Sequence, residues 1–178
     1  VLTEANSNLY HDKFFNHIDR YVFNFTEEDF RTYAPDLLIT IGQNVVSKKV
    51  KEFLRKAKPQ NHWHIDEFWQ PNTYFALTQE IKTKPEIFFS QLLKFAKLEP
   101  SAYFNLWDVL RDKKNAKHDE YCKTIDFSDF KIFQILEQKI PSNYNIHISN
   151  SSAISSSVAT CPFSVSILDI AASIFFCF

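Results

Sequence analysis

Leu37-Leu38-Ile39-Thr40-Ile41, closed by Gly42, is the stretch that decides the fold. Its residues are almost all apolar, as in a strand covered on both faces of a parallel sheet. Gly42 ends the run, and Ser47 is placed to cap a helix in which Val46, Val50, Phe53, Leu54 and Ala57 share one face at a 3.6-residue period. Lys58-Pro59 stops that helix. Trp63-His64-Ile65 is the next strand, with Asp66 at its carboxyl end. Strand, helix and strand at this spacing form a βαβ unit. The fold class it predicts is α/β, a doubly wound parallel sheet.

The pattern extends in both directions. Val1-Leu2-Thr3 reads as a short strand running into the polar loop Glu4-Ala5-Asn6-Ser7-Asn8. Phe14, Phe15 and Ile18 suit a helical face, Tyr21 to Phe25 looks β-like, and Thr26 with Asp29 three residues on opens a helix kept short by Pro35. Downstream, Thr73 to Ile81 contains an extended run, and Pro85 opens a helix with Phe88, Leu92, Phe95 and Ala96 facing inwards. A longer helix covers Ser101 to Cys122, its second half polar. Ser128 caps another in which Phe133, Leu136 and Ile140 share a face. After Pro141, Tyr144 to Ile148 alternates like a strand. From Ser155 to Phe178 the only charged residue is Asp169; this Ser-rich, then apolar, segment is too interrupted to read as a membrane span.

Composition excludes several functions. With 20 Lys and Arg against 21 Asp and Glu, nothing steers the chain to nucleic acid or to an anionic membrane. The basic run from Lys48 to Lys58 reads as a solvated helix face. Cys122, Cys161 and Cys177 are too widely spaced for a disulfide framework or thiolate cluster, which points to a reducing, cytoplasmic setting. No Met is present, and the reading is of a chain that starts inside a longer polypeptide. One Gly among 178 residues removes most glycine-loop phosphate sites, and a dinucleotide fingerprint would need two more glycines after Gly42.

Two places remain as candidates. The loop Gly42 to Lys48 lies at the carboxyl end of a strand and the start of a helix, where main-chain amides can bind an anion; Gly42, Ser47 and Lys48 are its candidate residues. The plainer reading is that Gly42 makes the turn and Ser47 caps the helix. His62 and His64 lie on one face of a strand, with Asp66 continuing that face; without a converging third ligand they read as core histidines and not as a metal site.

Several stretches, in order and in register, resemble one family: Leu2 to Asn8, Ala34 to Gly42 with Val46-Ser47-Lys48-Lys49-Val50-Lys51, and His62-Trp63-His64-Ile65-Asp66. They look like the middle domain of 2-succinyl-5-enolpyruvyl-6-hydroxy-3-cyclohexene-1-carboxylate synthase, the thiamine-diphosphate-dependent transferase of menaquinone biosynthesis. The likeness runs to about residue 154. It implies a three-domain parent, a homodimer or homotetramer, that uses thiamine diphosphate and Mg2+ to decarboxylate 2-oxoglutarate and to add the succinyl unit to isochorismate. It implies residues 1–140 as a middle α/β domain lacking its own beginning, 141–154 as the first strand and loop of the cofactor-binding domain, and 155–178 as an atypical apolar tail foreign to the family. Asn150 and Ser151 match an Asn-Ser pair of the family's substrate pocket, whereas Ser155 stands where an arginine is expected to meet a substrate carboxylate. The chain alone is therefore expected to be inactive and to bind neither cofactor nor metal. The alternative is a stand-alone Rossmann-like domain that binds a small molecule or a partner.

Overall fold

The computed structural model describes residues 1–4, 7, 9, 11–42, 45–97, 101–141 and 173–177. Their centre is a five-stranded sheet in the order β1-β5-β2-β3-β4. Strand β2 (Leu37–Gly42) pairs in parallel with β3 (Asn61–Ile65), and β3 in parallel with β4 (Gln79–Ile81). On the other side of β2 lies β5 (Ser173–Cys177), then β1 (Leu2–Thr3); β5 is antiparallel to both neighbours. The α/β reading and the parallel three-strand core are therefore present. The antiparallel strand β5 was not foreseen, because the apolar tail carries no β-alternation that distinguishes it from a helix.

Period-two alternation along β2 and β3 sorts side chains to two faces. Leu38 joins the larger core with Val50, Phe53 and Leu54 of α3 (Lys48–Ala57), while Ile39, Ile41 and Ile65 form a smaller core on the opposite face. Helices α1 (Ile18–Val22), α2 (Glu27–Thr32) and α5 (Ala102–Thr124) supply Ile18, Phe30 and Trp107 to the larger core. The smaller core is covered by Phe88 and Phe89 of α4 (Pro85–Phe95), so the sheet carries helices on both faces. Helix α6 (Asp129–Lys139) follows α5.

The helix starts follow the sequence signals. Thr26 and Asp29 form a reciprocal capping box: the Thr26 amide donates to Asp29 Oδ2 at 2.8 Å, and the Asp29 amide donates to Thr26 Oγ1 at 3.2 Å. Thr26→Ala is expected to cost about 1 kcal/mol, read as a shift in the urea midpoint at unchanged slope. Ser47, Ser101 and Ser128 likewise accept from main-chain amides of their first turns. Lys58 ends α3 in the left-handed region ahead of Pro59.

Three expectations change. Tyr21 to Phe25 is not a strand: α1 runs through Tyr21 and Val22, and Asn24 turns the chain in the left-handed region (φ 62°), which a short amide side chain tolerates. Val46 precedes α3 and is exposed. The extended run expected within residues 73–81 is present as β4, residues 79–81. On α4, Phe95 is 82% exposed and no residue is fully buried, since the smaller core reaches only Phe88 and Phe89. Tyr144 to Ile148 lies outside the described residues.

Candidate functional site at the carboxyl edge of the sheet

β1 and β2 run in the same direction and flank β5, and the helices that follow them, α1 and α2 after β1 and α3 after β2, pack into one core on one face of the sheet. In α/β folds ligands bind outside the carboxyl ends of the parallel strands. Three segments meet there: Glu4 directly after β1, Gly42 closing β2, and the start of α3.

Gly42 makes the turn with φ 79°, which a side chain at this position would oppose. Ser47 is buried; its hydroxyl accepts from the Val50 amide at 3.0 Å and donates to Asp19 Oδ1. Lys48 is exposed to solvent. The structure thus brings Gly42 and Ser47 to one edge and leaves Lys48 on its rim. Asn150 and Ser151 lie outside the described residues.

The residue that sequence reading missed is Glu4. Its carboxylate sits on the α3 amino terminus, accepting from the Val46 amide at 2.9 Å and the Ser47 amide at 2.7 Å. Helix amino-terminal amides of this kind hold phosphates in nucleotide-binding domains. Here an internal carboxylate takes that position. Burial raises the Glu4 pKa above the ordinary carboxylate value; the two amides and, more weakly, Lys51 oppose the rise, and Asp19 adds to it. The edge therefore presents a buried carboxylate where a phosphate cradle would need free amides. A position directly after a strand end was the one signal available for Glu4. Its partners lie 42 and 43 residues away, beyond the reach of any local motif.

The second polar group lies within the larger-core face of the sheet. Thr40 Oγ1 is 2.8 Å from His62 Nε2 and 2.7 Å from His64 Nδ1. Both rings are buried, and His62 also meets the Tyr74 ring at 5.4 Å. Burial, reinforced by the neighbouring His64, lowers the His62 pKa to about 4. Burial also lowers that of His64, against the opposing pull of Asp66 and of the Trp69 main chain. The pair is the core feature that its same-face spacing implied. Among the described residues no group of three His, Cys, Asp or Glu side chains is arranged to hold a metal ion.

No protein-family model matches the chain. Curated relatives do. The chain is 43% identical over 154 residues to the 2-succinyl-5-enolpyruvyl-6-hydroxy-3-cyclohexene-1-carboxylate synthase of Flavobacterium johnsoniae, an alignment covering 86% of this chain and 28% of that protein. The synthase of Flavobacterium psychrophilum is 41% identical over 154 residues, with the same shares covered. That of Christiangramia forsetii is 40% identical over 159 residues, again 86% and 28%. The chain belongs with these synthases. It spans about 28% of the length of those it matches. Thiamine diphosphate and magnesium, which the family resemblance implies, find no fitting seat among the described residues of this synthase segment. The amides of Val46 and Ser47 are taken by Glu4, and no carboxylate cluster suits the ion. Likewise, among the described residues, no helix is long and apolar enough to cross a membrane.

Proposed function

We propose that this chain is the middle-domain portion of a thiamine-diphosphate- and magnesium-dependent transferase of menaquinone biosynthesis. The whole enzyme decarboxylates 2-oxoglutarate and adds the succinyl unit to isochorismate, as a cytoplasmic homodimer or homotetramer. Within it this portion is a scaffold: it carries the sheet edge and helices against which catalytic parts are positioned, and it holds neither cofactor by itself. The observation that carries the reading is the 43% identity along 86% of the chain to a protein named for that synthase activity. The Glu4 carboxylate seated before α3 supports the scaffold role, because it occupies the Val46 and Ser47 amides that a phosphate there would otherwise use.

Two measurements test it. Replacing the matching segment of the Flavobacterium johnsoniae synthase with the 154 aligned residues of this chain is expected to retain condensation of 2-oxoglutarate with isochorismate. A soluble chimera of native oligomeric state without activity would overturn the assignment. The isolated chain, supplied with thiamine diphosphate, magnesium and both substrates, is expected to release no carbon dioxide; turnover there would overturn the scaffold reading. Asn150 and Ser151 are proposed to contact substrate in the whole enzyme, and their alanine variants in the chimera should raise KM.

The alternative, a stand-alone Rossmann-like domain for a small molecule or partner, draws on the same carboxyl edge. Saturable binding of an acidic metabolite by the isolated chain, lost in a variant at Lys48, would favour it.

A further inference from the structure

The hydrogen-bond arithmetic of Thr40, His62 and His64 does not close. Thr40 has one hydroxyl proton and faces two imidazole nitrogens, so it donates to one ring while the other donates to it. With both rings neutral, each then carries its remaining function on the far nitrogen. His62 Nδ1 and His64 Nε2 are buried and make no direct hydrogen bond of good geometry. An unpaired buried N–H is rarer than an unpaired acceptor. The Trp69 main-chain carbonyl, which favours a proton on His64, points to the tautomer pair in which His64 bears Nε2–H and His62 presents a bare Nδ1. That bare nitrogen lies in a ring 0% exposed and packed on Tyr74.

The 66–78 loop hangs on these same two residues. The Thr78 amide donates to the His62 carbonyl at 2.9 Å, and the His62 amide donates to Thr78 Oγ1 at 3.0 Å. Tyr74, 4% exposed, is the buried anchor of the loop over His62. At its other end Asp66 Oδ1 accepts from the Phe68 and Trp69 amides. The ionisable groups facing the pair are Asp66 and Tyr74 from the loop and Glu80 of β4, which stands in register with His64; β2 offers the neutral Thr40. From α3, Arg55 reaches the loop itself, donating to the Thr73 carbonyl at 3.0 Å.

We propose that Thr40, His62 and His64 form a proton-operated latch on the 66–78 loop, in which proton uptake by the buried imidazole pair releases Tyr74 and Thr78 from β3. A proton on His62 Nδ1 creates a buried cationic N–H with no acceptor, and water reaches it only when Tyr74 moves out. The closed form takes up that proton near pH 4, whereas a hydrated ring does so near 6.5. As the pH falls through 6.5 the open form therefore gains on the closed one, and the gain levels off near 4.

Native-state hydrogen exchange on the 178-residue chain tests this, with rates corrected for intrinsic pH dependence. Between pH 7 and 5 the Thr78 amide is expected to lose about twentyfold protection, as the two His62 affinities dictate. Amides within α3 should hold theirs. His62→Phe should remove the pH dependence at Thr78. The proposal is overturned by unchanged Thr78 protection across this range, by loop and α3 losing protection together, or by a pH dependence that survives in His62→Phe. Should that variant not fold, the ring of His62 in the unaltered chain decides by NMR titration. A midpoint well below 6.5 while Thr78 is protected is expected, and a midpoint at 6.5 with the loop still closed sinks the latch.

Discussion

Trp107→Ala is expected to lower folding stability by about 3–5 kcal/mol, a large part of what a domain of this size possesses. Trp107 is 2% exposed, and its indole lies at the meeting point of elements that are distant in sequence. Its ring centroid is 5.2 Å from that of Tyr33, 6.0 Å from Phe53, 6.1 Å from Phe15 and 6.4 Å from Phe25. Removing it opens a cavity between α5 and the helices beside α3, and packed rings on four sides limit collapse. The indole Nε1 is buried and makes no hydrogen bond. Trp107→Phe keeps a ring in the site and deletes that unpaired donor, so it is expected to cost less than half as much. Urea unfolding of both variants gives the two figures. Equal losses would show that the site depends on the indole's shape and not on filled volume.

The second large effect concerns Glu4. Glu4→Ala leaves the Val46 and Ser47 amides at the start of α3 without an acceptor, and an expected loss of about 2–3 kcal/mol follows from two main-chain donors left unpaired there. Glu4→Gln keeps an acceptor oxygen and avoids burying a charge, so it should stay within about 1 kcal/mol of the parent. The pH dependence has a definite sign. Because the folded-state pKa of Glu4 is raised, chiefly by burial, its ionisation opposes folding: the stability it contributes is greatest below the unfolded value of 4.5 and declines as pH rises through the folded pKa. Glu4→Gln should remove that decline. An unchanged profile in the Gln variant would place the decline on another group.

What the sequence made legible was local. The apolar run Leu37 to Ile41, the reciprocal Thr26 and Asp29 pair and the capping Ser47 and Ser128 are each fixed by neighbours within a turn or a strand, and each appears where its pattern placed it. The same holds for the shared face of His62 and His64, a plain consequence of strand pleating. Their common bond to Thr40 was not legible, since it depends on the β2–β3 register, in which Thr40 stands opposite His64. Glu4 was missed for a related reason: a carboxylate after a strand has many possible partners, and only the turn at Gly42 brings the α3 amides to it. The apolar stripe on α4 shows a limit of another kind. Periodicity states which side of a helix is apolar and not how far a core extends beneath it, so Phe95 reads as inward and stands in solvent.

The position of β5 governs the order in which this sheet can be made during synthesis. Leu2 pairs with Phe175, and β2 shares one whole edge with the same late strand. On a ribosome, β1 and β2 emerge before β5, and their facing edges cannot close on it until residues 173–177 have left the exit tunnel. The βαβ core of β2, α3 and β3 needs no such wait, because its contacts are near in sequence. Between the emergence of β4 and that of β5 the nascent chain therefore carries one half of the sheet formed and an apolar strand edge open, an interval in which such chains are exposed to aggregation.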